Sequence, residues 1–268
     1  MRRHSFTARL ATAAVWSAPA LAMFALGIEP SVATDVRVFT SGAPAAVENT
    51  LATKFAETTG NHIVFTVGNL SAVQEKLSAG ETPDIVVFPV PAIEALEKTG
   101  TLRPGSRIDL ARVGIGIVVR EGAQLPDIST VDAVRKTLLD ARSIAHSDPA
   151  GGGFTGAQIT RMFVRLGIAD AVKPKVTLMY AIAGGVAAVA KGDAAIGLFN
   201  ISEILPIKGV TLVGPLPSEL QSYITFAGAL HVGSTSPDPA LTFLRSLSDP
   251  SARDAWKMGG FEPLSSEH

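Results

Sequence analysis

Three glycines, Gly151, Gly153 and Gly156, stand at G-x-G-x-x-G spacing in "SDPAGGGFTGAQI", residues 147–159. A glycine-rich turn that leads into a helix exposes backbone N–H groups, and the helix dipole adds partial positive charge there, so the stretch is suited to an anion or another polar ligand. The other reading is simple capping of the following helix by Thr155. A dinucleotide fingerprint would place its first glycine directly after a strand and a carboxylate at the end of the next strand. Here residues 147–150 intervene, and "KVTLMYA" ends without an acid. A P-loop is excluded because Gly-Lys-Ser/Thr does not follow the glycines.

The run His146-Ser147-Asp148 invites a hydrolase reading, but neighbours on one strand point to opposite faces and cannot form a relay among themselves. A G-x-S-x-G elbow is absent, and the five histidines show no metal-ligand spacing, so no cofactor or metal is expected. His146 at a strand end is either a ligand contact or a satisfied structural histidine. Arg37 and Asp84 are expected to be structural.

The elements that must carry these residues alternate. "DVRVFT", "HIVFTV" and "DIVVFPV" have strand patterns, each followed by a helical stretch: after "SGAPAAV" breaks the first strand, one through Val47, Leu51 and Phe55 to Gly60, then 72–79 and 92–99. "RVGIGIVV" leads into a second set: helix 131–141, strand "RSIAH", helix 157–166, strand "KVTLMY", helix 186–191 and strand "AAIGLFN". "YITFAGALHV" returns to the first half, with helices 239–247 and 251–256 closing the chain. This alternation predicts two α/β lobes with mostly parallel sheets, helices on both faces and a ligand cleft beyond the carboxyl ends of the strands.

The 268-residue chain is 47% hydrophobic, with 25 Gly and 17 Pro dispersed between periodic segments, which argues against disorder. Its 23 basic and 24 acidic residues leave no basic excess for a phosphate backbone, so nucleic acid is not an expected partner. Arg2, Arg3 and Arg9 precede an apolar run that ends at the small residues of Ser31-Val32-Ala33, which reads as a cleaved secretory signal over 1–33. Its removal takes three Arg and Glu29, leaving 20 basic and 23 acidic side chains, a net charge of −3. No cysteine is present, which excludes disulfides, thiolate metal sites and a cysteine nucleophile.

In segment order the chain resembles the periplasmic molybdate-binding proteins of ABC importers, in the type II solute-binding superfamily. The resemblance covers residues 35–263 and rests on "VFTSGAPAAVENTLATKFAETTG", "SAGETPDIVVF", the Asp148-Pro149 loop with "TGAQITRMFVRLGIADAVKPKV", "AAVAKGDAAIGLFNISE" and "FLRSLSDPSARDAWKMGGFEP". It implies a two-lobed type II binding fold: lobe 1 over 34–113 and 225–268, lobe 2 over 114–224. It also implies that an oxyanion is held by hydroxyl and backbone N–H donors of five loops, without a counter-charge.

Carried over residue by residue, the first loop is Ser41, Gly42 and Ala43, with Ala43 at the family's serine. The second is Asn69, Leu70 and Ser71, with Leu70 at a serine. In the third, the backbone donor falls at Thr155, followed by Gly156. In the fourth it falls at Ile182. Asn200 replaces the tyrosine of the last loop, and Glu203 is the acid after it. With hydroxyls missing at Ala43 and Leu70, the expected ligand is a small organic anion whose body lies against Leu70 and Phe154, or else a molybdate-like oxyanion. The implied role is that of a monomeric periplasmic receptor delivering this ligand to the membrane permease of an ABC importer, without enzymatic activity. A secreted hydrolase-type enzyme and a ligand sensor for a signalling partner are the alternatives.

Overall fold

A computed structural model describes residues 33–150, 154–179 and 184–264, all within one compact unit, Ala33–His268. The expected signal segment up to Val32, Gly151 to Gly153 and Ile182 lie outside the described residues.

The first half runs β1 (Asp35–Thr40), α1 (Gly42–Thr59), β2 (His62–Val67), α2 (Leu70–Ser78), β3 (Ile85–Pro89) and α3 (Val90–Lys98). A long strand, β4 (Ile108–Arg120), leads to α4 (Val131–Asp140), β5 (Ile144–His146), α5 (Phe154–Arg165), α6 (Ala169–Val172), β6 (Val176–Leu178) and α7 (Gly185–Lys191). β7 (Ile196–Asn200), α8 (Ile201–Ile204) and β8 (Val210–Pro215) complete that half. The chain returns through β9 (Tyr223–Leu230), α9 (Pro237–Ser248), α10 (Arg253–Met258) and β10 (Phe261–Pro263). The expected alternation is present. α6, α8, β8 and β10 were not anticipated. All four are three to six residues long, too short for a periodicity to emerge.

Strand alternation builds a core on each face of each sheet. Val36, Val38, Ile85 and Val87 belong to one apolar cluster, while Phe39, Val86 and Phe88 between them belong to another. In the second half, Ile117, Ile144 and Leu198 lie in one cluster, with Val118, Ala145 and Phe199 in its counterpart. α1 covers the first sheet with Val47, Leu51, Ala52 and Phe55 and ends at Gly60, whose φ of 75° suits glycine.

The pairing explains how two halves share one backbone. β2-β1-β3 and β6-β5-β7 are parallel, while β4 and β9 join them antiparallel. β4 pairs with β9 as far as Gly114, opposite Tyr223, and from Ile115 onward with β7, where Ile115 lies opposite Asn200. Gln221 holds this switch: its Oε1 accepts from the Ile115 N–H at 2.9 Å and its Nε2 donates to the Ile115 carbonyl at 3.0 Å. The Ile115 carbonyl also accepts from Leu216, so only its N–H depends on Gln221. Gln221→Leu should therefore destabilise the fold by about 1–3 kcal/mol, with faster hydrogen exchange at the Ile115 amide than elsewhere in β4. A uniform change along β4 would contradict this role.

Asp84 and Arg37 are structural, as expected. Buried Asp84 accepts from the Arg37 N–H at 2.8 Å, Ser234 Oγ at 2.7 Å and the N–H groups of Thr235 and Ser236 at 3.1 Å each, tying β1 to the loop before α9. The Arg37 guanidinium donates to the Thr82 carbonyl.

Candidate functional site

The register points both sets of strand ends at one place. Thr40 at the end of β1 pairs with Val87, and Pro89 at the end of β3 lies level with Phe226 of β9, which pairs with Ala111 of β4. From the other side, β7 ends at Asn200, level with Ile115. The two edges thus face one another across four residues of β4, roughly 13 Å of strand. α1 follows directly on β1, and α5 follows the loop after β5, so the first turns of both helices begin beyond strand ends of this kind.

The expected site residues meet different fates. Ser41 precedes α1 with extended backbone; its hydroxyl makes no capping bond and is buried without a partner. Gly42 starts the helix, and Ala43 is buried. Asn69 caps its own helix, accepting from the Ala72 N–H at 2.8 Å, and Ser71 is exposed, so neither replaces the hydroxyl missing at Leu70. Leu70 packs on the apolar cluster of Val86 and Phe88. Phe154 packs on that cluster and also on the one across the sheet, so a ring from the second half caps the edge of the first.

Thr155 is not the helix cap. α5 starts at Phe154, and the buried Thr155 hydroxyl donates instead to Asn200 Oδ1 at 3.0 Å, joining two loops 45 residues apart. The Asn200 backbone N–H is taken by Glu203 Oε2 at 3.3 Å. Burial pushes Glu203 up to about 7, against the lowering effect of the Asn200 backbone and side-chain donors. Gly156 is buried, and a Cβ there would lie 2.1 Å from the Ser147 carbonyl oxygen.

His146, Ser147 and Asp148 form no relay. His146 Nδ1 pairs with the Ser147 carbonyl at 2.9 Å, its ring packs edge-on against Phe163, and Asp148 Oδ1 accepts from the Ala150 N–H. Burial lowers the His146 pKa, which favours the neutral ring. Among the described residues, no group of His, Cys, Asp and Glu could hold a metal ion, and no Lys or Arg is buried. An anion in this cleft would meet N–H and O–H dipoles rather than a buried cation.

Four polar residues near the cleft were missed by sequence reasoning. Ser202 Oγ, beside Asn200, is buried without a partner and lines a cavity of about 280 Å³ together with Ala43. Gln158 Oε1, one turn into α5, is likewise unpartnered, and Gln221 holds β4. Glu48 had a visible signal: it sits in the apolar stripe of Pro44, Val47, Leu51 and Phe55, where a carboxylate breaks the pattern. It is fully buried, neither oxygen has a hydrogen-bond partner of good geometry, and burial pushes it up to about 8 despite the Thr40 hydroxyl nearby.

Residues 36–262 match the family model of bacterial extracellular solute-binding proteins. An aconitate isomerase from a Pseudomonas species is 32% identical over 193 residues, 72% of each chain. The Azotobacter vinelandii periplasmic molybdate-binding protein superposes with a TM-score of 0.71 at 20% identity, covering 84% of this chain and 98% of its own. The sulfate-binding protein SubI from Mycobacterium tuberculosis superposes with a TM-score of 0.70 at 19% identity, covering 87% of this chain and 88% of its own. At such identities the two structures speak for a common fold.

Proposed function

Because the chain belongs to the family of bacterial extracellular solute-binding proteins, we propose that it is a periplasmic receptor that closes its two lobes on a small organic anion and presents it to the permease of an ABC importer. The lobes on this reading are 34–113 with 225–268, and 114–224; the receptor acts as a monomer, takes no nucleic acid and is exported by a signal within 1–33. One observation carries it: the ends of β3 and β7, from the two halves, come level with the same stretch of β4, from Ala111 to Ile115, an arrangement in which ligands lie beyond the carboxyl ends of the strands. The ligand contacts are Ser41, Gly42 and Ala43, the Thr155-Gly156 turn and Ile182, with Asn69, Leu70, Ser71, Phe154 and Asn200 around them.

A compact tetrahedral oxyanion fits this lining poorly, since Ala43 and Leu70 carry no hydroxyl, Ser71 is exposed and Asn69 caps its own helix. A carboxylate can use the α5 N-terminus at one end and lay its body against Leu70 and Phe154. The name of the 32% identical relative points the same way, since aconitate is an unsaturated tricarboxylate. Titration calorimetry on protein lacking residues 1–33, unfolded and refolded to strip carried ligand, should give tighter binding for di- or tricarboxylates than for molybdate or sulfate. Submicromolar molybdate binding without a carboxylate response would overturn the proposal.

The same relative favours a second reading, an isomerase acting on an unsaturated tricarboxylate in this cleft. Incubation with cis-aconitate, followed by proton NMR, separates the two: accumulation of the trans isomer supports the enzyme, and saturable binding without turnover supports the receptor.

A further inference from the structure

Glu203 is tied to the proposed anion site by two hydrogen bonds. Its Oε2 accepts from the Asn200 N–H at 3.3 Å, and the buried Asn200 accepts through Oδ1 from the buried Thr155 hydroxyl at 3.0 Å. A carboxyl group thus stands behind the first turn of α5, where Thr155 and Gly156 would hold the ligand, and does not itself reach into the cleft.

The charged groups around it supply no counter-ion. β7 and β8, packed on α8, carry no titratable side chain. α1 brings the buried Glu48, another acid, while its Lys54 and Glu57 are exposed. On β4, Asp109 is taken by Arg107 at 2.7 Å, Arg112 by Glu262 at 2.7 Å, and Arg120 is exposed. Arg161 and Arg165 of α5, Lys208 beyond α8, and Arg253, Asp254 and Lys257 of α10 are exposed too. In the loop before α5, Asp148 accepts from the Ala150 N–H, and burial favours the neutral His146 ring. Glu203 therefore relies on the Asn200 donors alone, and burial holds it at about 7, where both protonation states are populated near neutral pH.

A bound anion would place a second negative charge beside this group, and a like charge disfavours the ionised form of a carboxyl. Among the described residues no buried Lys or Arg offsets the pair. We propose that Glu203 takes up a proton from solvent when an anion binds at the Thr155-Gly156 turn, so that anion and proton are held together. The inference rests on the anion-receptor reading above and holds for an organic anion and an oxyanion alike. A protonated Glu203 keeps an oxygen that accepts from the Asn200 N–H, so the link to Thr155 survives the uptake.

Titration calorimetry on protein lacking residues 1–33, with tricarballylate, succinate and sulfate in both HEPES and Tris, counts the protons: the observed enthalpy changes with the ionisation enthalpy of the buffer in proportion to the uptake. If the anion makes Glu203 a tenfold weaker acid, roughly half a proton is taken up per anion at pH 7.5, and affinity is about fourfold weaker at pH 8.5 than at pH 7. Glu203→Gln keeps an acceptor for the Asn200 N–H but cannot ionise, so it should abolish the uptake and give equal affinities at the two pH values. Glu48→Gln should keep the wild-type proton count. A merely structural role for Glu203 would weaken binding at both pH values and leave the uptake in place. Binding by the wild type without uptake, uptake that survives Glu203→Gln, or uptake lost in Glu48→Gln overturns the inference and leaves the anion-receptor reading standing; the wild-type count and Glu48→Gln decide even if Glu203→Gln does not fold. If none of the three probes binds, the anion-receptor reading falls and takes this inference with it.

Discussion

Glu48→Gln should be within about 1 kcal/mol of the wild type in stability at pH 5 and more stable than it by roughly 3–5 kcal/mol at pH 9. Glu48 lies in the interior of α1 with both oxygens unpartnered, and burial raises it from 4.5 to about 8. Between those values the unfolded chain has released the proton and the folded chain keeps it. The folded state therefore binds more protons, and stability falls as pH rises from about 4.5 to about 8. Above that window the folded protein holds a buried carboxylate with no counter-charge. Glutamine copies the protonated form and does not ionise, so the variant should lose this slope. Urea unfolding of both proteins at several pH values between 5 and 9 measures the effect; parallel curves would mean that Glu48 is solvated or paired in solution.

Gly156→Ala should displace the turn that opens α5, destabilise the protein by at least 2–3 kcal/mol and weaken ligand binding more than tenfold. The added Cβ would meet the Ser147 carbonyl oxygen at 2.1 Å, the Ser147 carbonyl carbon at 2.9 Å and the Pro149 nitrogen at 2.9 Å. All three are backbone atoms, so no rotamer change relieves the clash, and either residues 147–149 or the first turn of α5 must move by about 1 Å. That turn carries the Thr155 hydroxyl bonded to Asn200, so the shift also loosens the link to the β7–α8 junction. Gly68→Ala is the control for stability: its Cβ would find only Ala72 and Val73 side chains at 3.6 and 3.7 Å, ordinary contact distances. Thermal melts of the two variants should differ widely. A Gly156→Ala protein with wild-type melting temperature and affinity would show that the 147–149 loop yields freely.

Thr155 has a role beside the backbone contact expected of it. Its hydroxyl has a partner in Asn200, which makes Thr155→Ala a larger perturbation than backbone contact implies. Asn69 and Ser71 have local roles: an Asn before a helix satisfies that helix's own N–H groups, and Ser71, in the first turn of α2, is exposed.

Order and type of the longer elements were determined by the sequence itself. Apolar period and turn residues act over a few positions: the stripe Val47, Leu51, Phe55 makes α1, and the β-branched runs make β1, β2 and β3. Tertiary structure alone decided the partners. Nothing local says that Thr155 meets Asn200, that Gln221 grips Ile115 where β4 passes from one sheet to the other, or that Gln158 Oε1 ends buried with no donor. Those contacts join residues tens to more than a hundred positions apart, and they exist only once the strands have taken their register, which is set by packing summed over both sheets rather than by any one segment.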